Sequence, residues 1–537
     1  MYVNPQNDNE IYGLGPRVAH SQDGGRTFDY LGGNVYHMFP SAADFLHLDH
    51  CEMWINPTNP NHMALVNDGG LYMSMDKGKN WMHYNNLPTG EFYDISVDNQ
   101  EPYHIYGGVQ DDASVYGPSL ELDPRFHKDW KYIWVDAWSG GDGCVTCVDP
   151  VDPNIVYFSM QNGAARRKDM QADKSVSIRP RLPRGHEGRL RFNYMTPYFI
   201  SPHDNNVLYH AGNYVFRTSD KGDSWEVISD DLSTSSDPNK QSVAAGALAE
   251  SPLKRGVLYM GTDKGALWVS QDDGNTWYER SQGLPNNHII SIQPSHYKAS
   301  RVYVALSGIN YDDLGAHLFV SEDFGQTWSS LTADLPNEIV NVIREDLWNE
   351  DMLYAGMYRG VYFSNDRGKT WSILGKNLPA VSVADLEIQR RTRDLVVATH
   401  GRGIYKTNLK PIHALNEAKS EPALLELPSF TRPKFGDTHG EPDFETLVKS
   451  TISFYLPKAT LATLSIEDKN GAEIWQKAIE GIQGLNQYRW DLVLKQVISD
   501  EAYFIHFNDF IKRGEYTMHL KVGDKKWSRP FEVKDYR

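Results

Sequence analysis

Along most of the chain an apolar run is followed by a turn rich in Pro, Asn or Asp and then by a second apolar run. INPTNPNHMALVND, VDPVDPNIVYFSM, ISPHDNNVLYHAG, AESPLKRGVLYMG and LEIQRRTRDLVVATHG all follow this plan. Short apolar runs bounded by turn residues predict β-strands joined by tight turns. Six times the pattern leads into one octapeptide: SQDGGRTF at Ser21, SMDKGKNW at Ser74, TSDKGDSW at Thr218, SQDDGNTW at Ser270, SEDFGQTW at Ser321 and SNDRGKTW at Ser364. The spacings are 53, 144, 52, 51 and 43 residues, and 144 is about three units, so two further copies have degenerated in between. A period of about 40 to 55 residues belongs to propellers and related arrays.

The octapeptide, S/T-x-D-x-G-x-T-W, is an Asp box with a physical reading. Its Asp can accept hydrogen bonds from the turn backbone. Its Gly supplies a positive φ. The closing Trp or Phe starts the next strand and packs between neighbouring sheets. Each unit therefore reads as strands A, B and C, the box, and strand D. Eight units are full, and a ninth, Ala384 to Asn408, has no D strand.

That missing strand constrains closure, because a ring completes its last blade with a strand from elsewhere in the chain. The expected architecture is all-β: a seven-bladed propeller over residues 81–408, closed by Trp81 to Asn86, with residues 1–80 as two remnant blades. An eight-bladed ring closed by Thr27 to Leu31 is the alternative. Remnant blades would leave Tyr12, Phe28, Met53 and Trp54 without a neighbouring sheet, which predicts completion by a partner chain or by a propeller upstream. Residues 409–448 read as a Pro-, Glu- and Lys-rich linker. From 449 to 537 the text becomes STISFYLPK, ATLSIEDKNGAEIW, LNQYRWDL, AYFIHF and GEYTMHLKVGDKKWSRPFEV, which predicts an Ig-like β-sandwich with Trp490 and Tyr516 in its core.

A formal charge of −17 argues against nucleic-acid partners, which are held by excess Lys and Arg. No run approaches the roughly 18 apolar residues of a membrane span. Cys51, Cys144 and Cys147 cannot build a disulfide framework, and the odd separation within C-x-x-C sends Cys144 and Cys147 to opposite faces of a strand. No signal peptide is visible after Met1.

The boxes, HLDHCEMWINPTNPNHMALVNDGGLY, GGVQDD, GGDG and VATHGRGIY together resemble bacterial proteins with sortilin-type N-terminal domains, often labelled glycosyl hydrolases with BNR repeats. The C-terminal part is similar to the FlgD-type or fibronectin-like module that ends such proteins. More remotely, the repeats resemble xyloglucan endoglucanases built of two seven-bladed propellers. The resemblance implies an extracellular, periplasmic or cell-surface protein whose ligand is a polysaccharide or a protein, with no cofactor. Family members carry more blades upstream than this sequence does. A sialidase would need three arginines, a Tyr–Glu pair and an early F/Y-R-I-P segment, whereas the nearest match is Ile178-Arg179-Pro180 in mid-chain.

Glycoside hydrolysis needs two carboxyl groups facing one cleft. Carboxylates in Gly-rich turns outside the boxes are the candidates: Asp142 in SGGDGC, Asp111 and Asp112 in VQDDAS, and Asp68 in VNDGGL, with turn capping as the competing reading. In LHLDHCEMW, strand alternation would put His47 and Asp49 on one face and His50 and Glu52 on the other, so no metal site is expected. The basic segment 166–191 carries Arg179, Arg181, Arg184, Arg189 and Arg191, whose guanidinium groups suit carboxylates or sulfates. His400 and Arg402 in ATHGRG are further ligand-contact candidates near the expected closure. A binding or scaffold role leads, and a polysaccharide-active hydrolase is the alternative.

Overall fold

The computed structural model describes the whole chain except residues 32–45, 85–86, 120–129, 134–140, 187, 241, 376, 418–420, 428, 433–450, 483, 495–509 and 536–537. The described residues form two compact units, one within 1–407 and one within 408–537. Seven antiparallel sheets make a ring in the first unit, spanning 92–132, 146–177, 198–227, 245–279, 288–330, 340–374 and 383–408. Six have four strands, and the last has three. Their second strands, such as Leu258–Thr262, Val302–Ser307 and Leu353–Met357, are buried along their whole length because sheets pack on both faces. Burial on both faces is why LYMGT and VYVALS read as unbroken runs without alternation.

Inner-strand side chains sew neighbouring sheets together. Asp94 accepts the Thr146 N–H at 2.9 Å, Ser291 accepts the Ile343 N–H at 3.3 Å, and Asn341 Nδ2 donates to the Val383 carbonyl at 2.9 Å. Closure uses the same device, since Asp385 accepts the Ile95 N–H at 3.3 Å. Gly401 and Gly403 also donate their N–H groups to the Gly90 carbonyl, at 3.1 and 2.8 Å. The ring therefore has seven blades.

Closure does not use the strand that the sequence suggested. Met82–Tyr84 pairs with Gly70–Ser74, with Leu71 opposite Tyr84, and Asn85 and Asn86 lie outside the described residues. A local hairpin has the smaller loop-closure cost, and Trp81 is buried in the core that the two N-terminal sheets share. The alternative donor also stays at home, because Asp29–Tyr30 pairs with Ala19–Ser21. Tyr12 and Met53, expected to lack a neighbour, are buried in that shared core, whereas Phe28 and Trp54 are 43% and 48% exposed.

The boxes show what each conserved-looking position does within the fold. In the Ser270 box, Asp272 accepts the Thr276 N–H and hydroxyl at 2.9 and 2.7 Å, while Ser270 Oγ accepts the Gly274 N–H at 2.9 Å. Gly274 has φ 86°, and a Cβ there would lie 2.7 Å from Ile228 of the preceding blade. Only glycine suits both demands. The indole N–H groups of Trp225, Trp277, Trp328 and Trp371 donate to the carbonyls of Ile178, Ile228, Arg280 and Leu331 at 2.8 to 2.9 Å. Each of those carbonyls follows the preceding blade's last strand, so a ring box ties one blade to the next.

In the second unit, a helix at Lys410–Glu417 stands where a linker was expected, and residues 433–448 of that linker lie outside the described residues. A three-stranded and a five-stranded sheet enclose one core that includes Phe430, Ile452, Leu464, Trp490 and Leu520. Tyr516 packs against that core from its partly exposed edge. The AYFIHF run lies outside the described residues.

Candidate binding site

The first strands of all seven ring sheets line one cavity of about 920 Å³. Its walls combine aliphatic side chains, among them Ile95, Ile200, Leu248 and Val342, with Asp94, Asp385, Glu387, Arg344, His288 and His400. Sequence reasoning missed the acids. FYDISV and VADLEIQ carry a legible signal, since acidic residues alternate there with apolar ones on strands that open a blade.

The three carboxyls are not equivalent. Asp94 and Asp385 each place one oxygen on a neighbouring blade's N–H, and Asp385 also accepts Arg344 Nη2 at 2.7 Å. Glu387 makes no hydrogen bond among the described residues. Burial pushes its carboxyl up to about 7, Arg344 opposes that rise and Asp385 adds to it. Asp94 is raised well above the usual carboxylate range by burial and then by Asp385. Burial in the same wall lowers His288. The cavity thus presents acids whose carboxyls are all raised, Glu387 to about 7, and which would gain from a hydrogen-bonding or cationic ligand.

His400 faces this cavity at the closure, with Nε2 2.6 Å from Glu91 Oε1 and its ring 6.1 Å from that of Tyr93. Arg402 is exposed, and its backbone N–H donates to Thr399 Oγ1 at 3.1 Å.

The turn carboxylates gather at a different place, where the second N-terminal sheet meets the first ring blade. Asp142 is buried, accepting the Asp111 N–H at 2.8 Å and Gln161 Nε2 at 3.1 Å. Asp111 holds a left-handed φ of 55°. The glycines of GGVQDD and GGDG serve backbone contact: a Cβ on Gly108 would lie 1.9 Å from the Cys144 carbonyl oxygen, and one on Gly143 1.9 Å from that of Ala113. Asp68 is pushed up to about 6 by burial and by its hydrogen bond with Asp111. Burial also pushes Asp112 up to about 6, against the pull of His47, whose Nε2 is 3.7 Å from Asp112 Oδ1.

The His47–Glu52 run is not the strand that alternation suggested. Asp49 has φ 60°, and the strand starts at Glu52. His47 and His50 both turn inward and are buried. Among the described residues no group of three or more His, Cys, Asp or Glu is placed to hold a metal ion. Cys144 is buried and Cys147 lines the ring cavity.

The arginine segment divides. Arg191 is structural: its guanidinium reaches the Val243 carbonyl at 3.2 Å, Asp231 at 3.1 Å and Ser233 at 2.6 Å. Arg179 lies over Phe192 and donates to the Asn162 carbonyl at 3.0 Å. Arg181, Arg184 and Arg189 are exposed. Ile178, in the sialidase-like tripeptide, is core.

Fold and boxes together define a seven-bladed β-propeller of Asp-box repeats. A family model described as "Sortilin, neurotensin receptor 3" matches residues 265–417, in line with the resemblance read from the sequence. No curated protein matches the chain. Among solved structures, the chain is similar to PorZ, a surface component of the type-IX secretion system of Porphyromonas gingivalis, at 11% identity and TM-score 0.45, over 98% of this chain and 74% of that one. It is similar to the extracellular domain of a putative hybrid two-component system from B. thetaiotaomicron, at 12% identity and TM-score 0.43, over 98% and 66%. It is also similar to the GH74 xyloglucanase of Xanthomonas campestris, at 15% identity and TM-score 0.27, over 84% and 82%. No helix among the described residues is long and apolar enough to cross a membrane.

Proposed function

We infer that this is a sortilin-type binding or scaffold propeller, acting outside the cell on a protein or polysaccharide that enters the ring cavity. The observation that supports this reading is the cavity wall, where acids lacking full counter-charge stand among aliphatic side chains. A concave, mostly preformed site with a few polar groups is the usual form of a ligand pocket. Screening the chain on peptide and glycan arrays tests it: a ligand whose binding is lost in Glu387→Gln supports the cavity, and a ligand indifferent to Glu387→Gln and to Arg344→Met contradicts it.

A hydrolase is the second reading, favoured by the raised carboxyls of Asp68 and Asp112 beside Asp111. A general acid needs such a raised group. Asp142, however, is committed to its two hydrogen bonds, and carboxyls bonded to each other sit closer than the roughly 5 to 9.5 Å that glycosidase pairs require. Reducing-sugar release from xyloglucan, lost in both Asp112→Asn and Asp142→Asn, would establish the hydrolase instead.

A further inference from the structure

A second cavity, of about 450 Å³, opens beside the insertion that joins the second and third ring blades. Its lining carries three guanidinium groups, Arg166, Arg179 and Arg181, and no Asp or Glu among the described residues. That is unusual in a chain of charge −17. Two of the three are positioned by neighbouring groups. Arg166 Nη2 donates to Ser175 Oγ at 3.0 Å, and Arg179 is positioned by the Asn162 carbonyl and by the Phe192 ring 5.1 Å away. Arg181 is exposed and makes no hydrogen bond or ion pair among the described residues. The insertion itself is anchored, because Arg191 fastens its far end to Asp231 and Asn213 Nδ2 donates to the Arg189 carbonyl at 3.2 Å.

We propose that this pocket binds an acidic peptide segment in which a carboxylate neighbours an apolar side chain. The planar guanidinium fork matches a carboxylate in two parallel hydrogen bonds. Leu182, Leu190 and Phe192 supply the apolar wall for the adjoining side chain. A sugar is held through hydroxyls that both donate and accept, and among the described lining residues Ser177 Oγ is the one side-chain acceptor for them. Carboxylate and apolar wall together therefore select peptide over acidic glycan. The pocket shares no lining residue with the ring cavity, so this site stands or falls independently of the reading above.

Fluorescence anisotropy on the full chain tests the proposal, with a fluorescein-labelled hexapeptide of alternating Glu and Leu as probe. Saturable binding is expected, weakened by salt, and weakened roughly ten- to hundredfold in Arg179→Ala and in Arg181→Ala, since each loses charge-assisted hydrogen bonds. Arg181→Ala removes no described contact, so its fold is preserved even where that of Arg179→Ala is not. The matching hexapeptide of Gln and Leu should not bind. The proposal is overturned if the acidic hexapeptide fails to bind, or binds Arg181→Ala as it binds the parent. It is equally overturned if hexagalacturonate binds in an Arg181-dependent manner and the hexapeptide does not, which would make this an acidic-glycan site.

Discussion

The box corners and the ring cavity use the same carboxylate chemistry to opposite ends. At the corners, each Asp is surrounded by donors. Hydrogen bonds from Thr27 and Ser21 hold Asp23 down to about 2, and those from Ser224 and Thr218 do the same for Asp220. In the cavity, burial outweighs the available donors, and Glu387 rises to about 7. A carboxylate saturated with local hydrogen bonds is part of the fold, whereas one left short of partners in a concave wall is available to a ligand.

The difference can be broken most severely at Arg344, the guanidinium bonded to Asp385 and closest in charge effect to Glu387. Arg344→Met should cost about 3 kcal/mol at pH 8, the expected order for uncoupling a largely buried ion pair. Urea denaturation at pH 8 and pH 5 checks this, and the loss should be smaller at pH 5, where Glu387 is protonated. An equal loss at both values would mean that Arg344 does not offset cavity charge.

Opposite shifts also give opposite pH limbs. The box carboxyls are lowered in the fold, so their contribution is present above the ordinary Asp value of 3.8 and is lost as pH falls toward about 2. Glu387 is raised, so its contribution is complete below its ordinary value of 4.5 and is lost as pH rises through about 7. Stability should therefore peak near pH 4 to 5. Between pH 5 and pH 8 the parent should lose on the order of 1–2 kcal/mol, after screening by water in the cavity, and Glu387→Gln should lose less. A parent profile that is flat over that interval would contradict the raised carboxyl.

A smaller effect is expected at a corner. Trp277→Phe keeps most of the packing but leaves the Ile228 carbonyl without its 2.8 Å indole donor, which should lower stability by about 1 kcal/mol and leave any ligand affinity unchanged. Thermal melts and array binding on the same sample decide both halves of that statement.

The contrast also explains what could be read beforehand. Repetition makes the boxes legible: six copies of S/T-x-D-x-G-x-T-W reveal which positions serve geometry, and the structure gives the Asp and Gly positions the role their chemistry suggested, while the closing aromatic of the first box, Phe28, stays exposed. The blade-to-blade indole bonds were less legible, because the acceptors are backbone carbonyls that carry no residue signature. Closure was misread for a related reason. A missing D strand looks like a gap to be filled, yet the seam is held by Asp385, Gly401 and Gly403 on backbone groups of the first blade. Glu387 and Asp94 lay about 290 residues apart in sequence and met only through that seam. In the turns, Asp beside Gly suggested ligand approach, whereas Gly108 and Gly143 let two backbones touch.

One crossed measurement tests the central claim most directly: melting temperature and affinity for the array-selected ligand, measured together on Asp272→Asn and Glu387→Gln. The corner variant keeps one acceptor oxygen for the Thr276 N–H but puts an NH2 donor where the Thr276 hydroxyl donated, so it should melt earlier, by about 1 kcal/mol of stability, and bind as the parent does. Relieved of a half-buried carboxylate, the cavity variant should melt at or above the parent temperature at pH 8 and fail to bind. Loss of binding in Asp272→Asn at an unchanged melting temperature, or full binding by Glu387→Gln, would contradict the division between carboxylates that build the ring and carboxylates that serve its ligand.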